Sequence, residues 1–303
     1  MTQAHTTTLP TLEIVSAVGL ITVQDLGRFG SMGRGVPHGG AWVPELLIRA
    51  NLAAGNAPNT AALEIVGKAV IRSSEPLWVA HDDGSSARLE PNTRYTIGLP
   101  TGRRARYLAI HGGIDVPLFL GSRSTLLSSE VGGFEGRMLR HGDRLPIQSI
   151  SPSTPTLSVT AITSFESWWL DDPREEWAPF DVVLGPDLDR FTERAVHTFL
   201  SREYVILASS NRVGLRLETR DGPPIQVSSD TRVSMPMVKG AIEVPSSGQP
   251  IVLGPDHPTT GGYPVIAVVA STELGRLFSR RSGSVIRFQA ISPEDARRRH
   301  RVL

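Results

Sequence analysis

The sequence predicts a mainly β protein with a few helices, built as two β domains of closed or sandwiched antiparallel sheet. Three observations carry this. Short segments rich in β-branched residues and bounded by Gly, Pro, Asn or Asp recur through both halves of the 303-residue chain. Few helical patterns lie between them, which argues against a doubly wound parallel sheet. A Pro/Ser/Thr-rich seam, SISPSTPTLS at 149–158, and a second polar break, DDPREEWAP at 171–179, divide the halves and set domains at 1–165 and 166–303.

In chain order the first half offers TLEIVSAV, LITVQD, AALEIV, LWVAHDD, RYTIGL and ARYLAIHGG as strands. The second half offers DVVLG, EYVILAS, LRLETR, IQVSS, AIEVP, PIVLG, YPVIAVVAS and SVIRFQAI. AIEVPSSGQPIVLG reads as a hairpin turning at Ser246-Ser247-Gly248. Residues 44–54 form a helix with Pro44 at its start and Gly55 just past its end. Residues 187–200 read as a helix capped by Asp187, with Leu188, Phe191, Ala195 and Phe199 on one face. STELGRLF from Ser271 is a third helix. SPEDARRRH from Ser292 is a fourth, a surface helix with a cap, a first-position proline, an acidic first turn and a basic end.

The bulk composition removes several function classes. Lys and Arg number 31 against 30 Asp and Glu, so no global field draws the chain to nucleic acid or a membrane surface. The absence of cysteine excludes disulfides, thiol nucleophiles and thiolate metal sites. The polar start MTQAHTTTLP lacks a signal peptide's apolar core, and no apolar run is long enough to span a bilayer. The expectation is a soluble cytoplasmic protein.

The stretch VQDLGRFGSMGRGVPHGGA, Val23–Ala41, has the glycine content of a phosphate loop but not its spacing. The glycines fall at 27, 30, 33, 35, 39 and 40, and no helix begins before Pro44, so the loop does not form a dinucleotide fingerprint. The glycines are expected to supply positive φ angles in a turn-rich loop. The chain has no Gly-x-Ser-x-Gly elbow, no His-Glu-x-x-His and no Met-Lys-Met biotin-acceptor sequence. His81-Asp82-Asp83 reads as a solvated strand end rather than a metal site, and no metal is predicted. Polar residues beside glycine at strand ends are more telling: HGG at 111–113 with GSRST at 121–125, SSNRVGLRL at 209–217, and LGPDHPTTGGYPV at 253–265. Amides at such glycines, threonine hydroxyls and arginine forks suit a carboxylate, an oxyanion or a phosphoryl group.

Taken in order, TVQDLGRFG, GGAWVPELLIRANLAAGN, ALEI, YLAIHGGIDVPLFLGSRST, GGFEGRMLRHGD, SNRVGLRLE and GAIEVPSSGQPIVLGPDHPTTGGYPVIAVV resemble the biotin-dependent carboxyltransferase family. That family includes the C subunit of 5-oxoprolinase, allophanate hydrolase subunit 2 and the carboxyltransferase region of urea carboxylase, with a kinase-regulator branch. The resemblance implies two cyclophilin-like β-barrel domains, a partner of the B-subunit type and a third component of the A-subunit type. It implies ATP used at the level of the complex to open 5-oxoproline to glutamate. The alternative it implies is transfer of a carboxyl group from biotin on another chain to a urea-like amide, and a third is a non-catalytic regulatory role. In the first two the substrate class is a small amide.

Carried onto this sequence, the family motifs match Gln24, Asp25, Gly27 and Arg28, then Asn51, Gly55 and Asn56, then Glu64. Arg212 and Arg216 match the next motif, and Asp256, Thr259, Thr260, Gly261, Gly262 and Tyr263 the last. The implied catalytic set is Asp256, His257 and Arg212. Asp256, with His257, would handle a proton, and Arg212 with Arg28 would hold a substrate carboxylate or a phosphorylated intermediate. Gln24, Asp25, Arg28, Asn51, Thr259, Thr260, Gly261, Gly262, Tyr263 and Arg216 would bind substrate. Two departures remove acids: relatives read SGAxD where this chain has GGAWV, ending on Val43, and Ser-Glu before a GAIQVP strand where this chain has Ser234-Met235.

Overall fold

The computed structural model describes residues 10–99, 102–148, 178–228 and 234–300. The described residues form two compact units. One holds 10–28, 44–99 and 105–148; the other holds 29–43, 102–104, 178–228 and 234–300. The glycine loop therefore divides after Arg28, and its second part belongs with the C-terminal half. The 149–158 seam, most of the 171–179 break and the 165/166 boundary lie outside the described residues.

The first unit is a seven-stranded sheet of β1 (Thr11–Gln24), β2 (Ala62–Ser73), β3 (Leu77–His81), β4 (Ser86–Leu89), β5 (Tyr95–Ile97), β6 (Arg106–Ile110) and β7 (Arg144–Pro146). The order is β4-β3-β6-β2-β1-β7, with β5 also on β2, and every pair is antiparallel. TLEIVSAV and LITVQD, expected as two strands, are one. Gly19 opposes Gly67 in the β1–β2 ladder, at φ 92° and 138°. A Cβ at Gly19 would stand 2.2 Å from the Val66 carbonyl oxygen, and one at Gly67 would stand 2.0 Å from that of Val18. Paired glycines let both strands bend without breaking the ladder. Leu12, Ile14, Ile21, Val23, Leu63, Ile65 and Ile71 fill the core beneath. Helix α1 (Pro44–Ala53) lies on β3 and β6, and Gly55, at φ 72°, closes it by donating to the Leu52 carbonyl.

The second unit is an eight-stranded sheet. Its strands are β8 (Phe180–Leu184), β9 (Tyr204–Ile206), β10 (Gly214–Thr219), β12 (Ala241–Glu243), β13 (Ile251–Leu253), β15 (Val265–Val269), β16 (Val285–Ile286) and β17 (Phe288–Ala290). A two-stranded ladder of β11 (Met235–Pro236) and β14 (Thr260–Gly261) stands apart from it. The order is β16-β9-β10-β13-β12-β15-β8-β17, with one parallel pair, β8–β17. Among the described residues, one of the two larger sheets is a nearly closed barrel and the other a half-barrel, so the mainly β expectation holds.

The expected hairpin is β12–β13, and Gly248 turns it at φ 72°. SVIRFQAI divides at Arg287 into β16 and β17, which pair with opposite edges of the sheet path. Over its described residues, 225–228, IQVSS is not a strand: Val227 makes one isolated bridge to Phe191. Residues 187–200 also depart from a single helix. A 3-10 turn, Leu188–Arg190, precedes α2 (Glu193–Ser201), whose cap is Thr192, accepting from the Ala195 amide at 3.1 Å. Asp187 is drawn away to accept from the Val265 amide at 2.8 Å, and a tertiary bond has displaced a local cap. Phe199, Tyr204 and Phe288 stack behind α2 with centroids 5.1–6.0 Å apart. Residues 271–279 form a 3-10 turn running into α3 (Leu274–Ser279), and α4 (Pro293–His300) takes Ser292 as cap for the Asp295 amide.

Candidate functional site

The second unit brings the implied catalytic residues together by backbone pairing. β10 and β13 pair with Gly214 opposite Leu253, so the residues just before β10 and just after β13 emerge at the same end. The Asp256 amide donates to the Arg212 carbonyl at 3.0 Å. Gly254 is required there, because a Cβ would stand 2.3 Å from the Arg212 carbonyl oxygen. Arg212 Nε then donates to Asp256 Oδ2 at 2.8 Å and Nη2 to Oδ1 at 2.9 Å, with each side chain 3% exposed. Nη2 also donates to the Gly40 carbonyl, and the Gly39 amide donates to that of Pro255. Gly39 and Gly40, at φ 62° and 82°, let the glycine loop present those groups.

This geometry changes the roles the residues can play. Both Asp256 oxygens already accept from one guanidinium, a fork that fixes the carboxylate's orientation. His257 is the titratable group beside it. It is 1% exposed, and its Nδ1 donates to the Pro258 carbonyl at 2.8 Å, which leaves Nε2 as the acceptor of the neutral ring. Burial lowers its pKa below the ordinary histidine value, and the positive charges of His38 and Lys239 lower it further while Asp256 opposes them.

Beyond His257 the chain turns outward. The Thr259 carbonyl accepts from the Met237 amide at 3.0 Å, and Thr260-Gly261 forms the β14 rung opposite Met235-Pro236. Thr260 and Tyr263 are exposed, and Gly261 and Gly262 are half-buried. Tyr263 borders a cavity of about 520 Å³ lined also by Thr192, Pro224, Gln226, Ser246 and Ser247, with no charged side chain in its lining. Arg216 points to solvent from β10 and is not part of this cluster.

One residue escaped the sequence reading. Glu243, on β12, is 5% exposed, and its Oε1 has no hydrogen-bond partner. Burial pushes its carboxyl up to about 7. The available signal was a lone acid inside the apolar strand AIEVP. Val43, where the family resemblance implies an acid, is fully buried.

Gln24, Asp25, Arg28 and Asn51 belong to the first unit, and each is buried. Their polar groups are directed into the fold. Gln24 Nε2 donates to Thr22 Oγ1 and the Thr125 carbonyl. Asp25 accepts from the Gly27 amide, Ser122 Oγ and the Arg123 amide at 2.6–2.8 Å. Arg28 donates to the Ser124 carbonyl, with its guanidinium 5.6 Å from the Phe119 ring centroid. Asn51 clamps the carbonyls of Pro58 and Thr60.

His81-Asp82-Asp83, expected as a solvated strand end, is partly buried instead. His81 contacts the Tyr95 hydroxyl at 2.8 Å, and Arg106 reaches both Asp82 and Asp83. Among the described residues no group of His, Asp and Glu has the arrangement of a metal site. No helix among them is long and apolar enough to cross a membrane.

The second unit thus delivers a Gly-Pro-Asp-His turn onto a buried arginine, and the chain as a whole matches a known family. Residues 34–290 match the carboxyltransferase domain, subdomain A and B, and the chain belongs to that family. It is 35% identical to the C subunit of 5-oxoprolinase from Escherichia coli over 94% of this chain and 93% of that one. It is 29% identical to the Haemophilus influenzae protein of the same name with the same coverage. A urea amidolyase of Lachancea kluyveri is 30% identical over 94% of this chain and 17% of its own length. Among solved structures, the Kluyveromyces lactis urea amidolyase aligns with a TM-score of 0.82 at 26% identity, over 97% of this chain and 19% of that one. The chain therefore spans about a fifth of the urea amidolyases it matches.

Proposed function

We propose that the protein is the C-subunit-like component of a 5-oxoprolinase-type complex, which uses ATP to open 5-oxoproline to glutamate. The observation that carries this is the near end-to-end match to the 5-oxoprolinase C subunits, whereas the urea amidolyases match through a fraction of their length. A partner of the B-subunit type, and with it one of the A-subunit type, supply the rest of the machinery. We place the complex in the cytoplasm, and ATP is used at the level of the complex.

In this reading the Arg212–Asp256 fork holds the turn that carries His257 and the Thr259–Gly262 corner. His257 Nε2 accepts or returns a proton, and the corner offers hydroxyl and amide donors to a small amide. The experiment is reconstitution with the proteins encoded beside it, following ATP-dependent glutamate release from 5-oxoproline. Turnover that disappears with His257→Gln supports the reading. A stable complex without turnover refutes it.

The fold likeness to urea carboxylase structures favours a second reading, carboxyl transfer from biotin on another chain to a urea-like amide. Biotin-dependent carboxylation of urea by the same complex would establish it.

A further inference from the structure

A buried acid stands at the Gly261 corner. Met235 lies opposite Gly261 in the β11–β14 ladder. Glu243 reaches the same glycine from β12: a Cβ at Gly261 would stand 2.5 Å from Glu243 Oε1 and 3.0 Å from Met237 Cε and Cγ. Glycine at 261 is therefore what leaves the carboxyl its space. On its own sheet Glu243 is flanked by Ile251 of β13 and Val265 of β15. Its neighbours thus include apolar strands and a methionine, and Oε1 has no hydrogen-bond partner.

Such a group is costly unless something uses it. Charged and titratable residues occur around the strand rather than on it. Asp187 binds the Val265 amide, Lys239 precedes β12, and Asp256 and His257 lie between β13 and β14. None contributes to the displaced titration of Glu243, which burial alone produces.

This chain has Met235 opposite Gly261 and Glu243 beside it. We propose that Glu243, held against Gly261, is the proton donor to the nitrogen of a small amide seated on the Thr259–Gly262 corner. In the balanced hydrolytic step, water adds its hydroxyl to the carbonyl carbon and the C–N bond breaks. The nitrogen takes the proton of Glu243, and the carboxylate recovers one from the attacking water. The inference rests on the amide-hydrolysing reading above.

Two readouts test it separately from that reading. In the reconstituted complex, Glu243→Gln is expected to slow glutamate release by about a hundredfold or more. The swapped variant Met235→Glu/Glu243→Gln is expected to recover most of that loss. A Glu243→Gln rate and pH profile matching those of the parent, or a swap as slow as the single variant, overturns the inference. The second readout needs no turnover. The infrared carbonyl band of a protonated acid near pH 6, identified by its loss in Glu243→Gln, is expected to shift when 5-oxoproline is added. If the parent complex does not turn over 5-oxoproline, the oxoprolinase reading fails alone. Urea then serves as the probe, and a band that ignores both amides overturns the role of Glu243.

Discussion

Arg212 and Asp256, 44 residues apart in sequence, form a two-bond fork at 2.8 and 2.9 Å with both side chains almost wholly buried. The sequence motifs contain both residues, but only the β10–β13 pairing makes them partners. The fork fixes Asp256 at the turn that holds His257.

Removing one member of this pair leaves a buried charge without its counter-ion, so Asp256→Ala is expected to cost about 3–5 kcal/mol. The double variant Arg212→Met/Asp256→Ala is expected to be less destabilised than the sum of its single variants. Urea unfolding of the four proteins gives the coupling, and additive losses would refute the pairing.

Glu243 predicts a pH dependence with a definite sign. Its folded value, about 7, lies above the ordinary 4.5, so between them the native chain keeps a proton that the unfolded chain has released. Stability is therefore lost as pH rises through that window and levels off above it. Glu243→Gln is expected to remove this slope in denaturant titrations from pH 4.5 to 8.

His257 works in the opposite direction. Its folded value lies below 6.5, so its contribution is present above that pH and lost as the medium becomes more acidic. His257→Gln is expected to retain more of its stability than the parent as pH falls below 6.5. An unchanged acid limb would count against a neutral buried ring.

Gly67→Ala is expected to destabilise more than Gly30→Ala. Both positions have positive φ, with strain of about 1–3 kcal/mol for a side chain. Only at Gly67 does the added carbon also meet a carbonyl oxygen, that of Val18, whereas nothing lies within 4 Å at Gly30. Thermal unfolding of the two variants measures the difference.

Thr192→Ala is expected to cost about 1 kcal/mol, the usual loss for an N-cap hydroxyl. Asp187→Ala, by contrast, should affect the Val265 amide, measured by its hydrogen exchange, because Asp187 bonds β15 and not α2.

Much of the fold is written in local chemistry. The β12–β13 hairpin, the proline-to-glycine limits of α1 and the capping of α4 each depend on residues within a few positions of one another. Periodicity could not show that TLEIVSAV and LITVQD are one strand, because Gly19 looks like a break until Gly67 is placed opposite it. Nor could a local cap rule foresee that Asp187 bonds the Val265 amide, 78 residues away.

For the site, the sequence by itself determined the family and the Asp256-His257 and Thr-Thr-Gly-Gly turn, because ordered motifs and turn residues are local properties of a chain. The tertiary structure alone decided which charges neutralise one another and which carboxyl is left without a partner. Sheet pairing closes Arg212 on Asp256 and brings Glu243 beneath Gly261, and burial then raises the Glu243 carboxyl, which no single segment encodes.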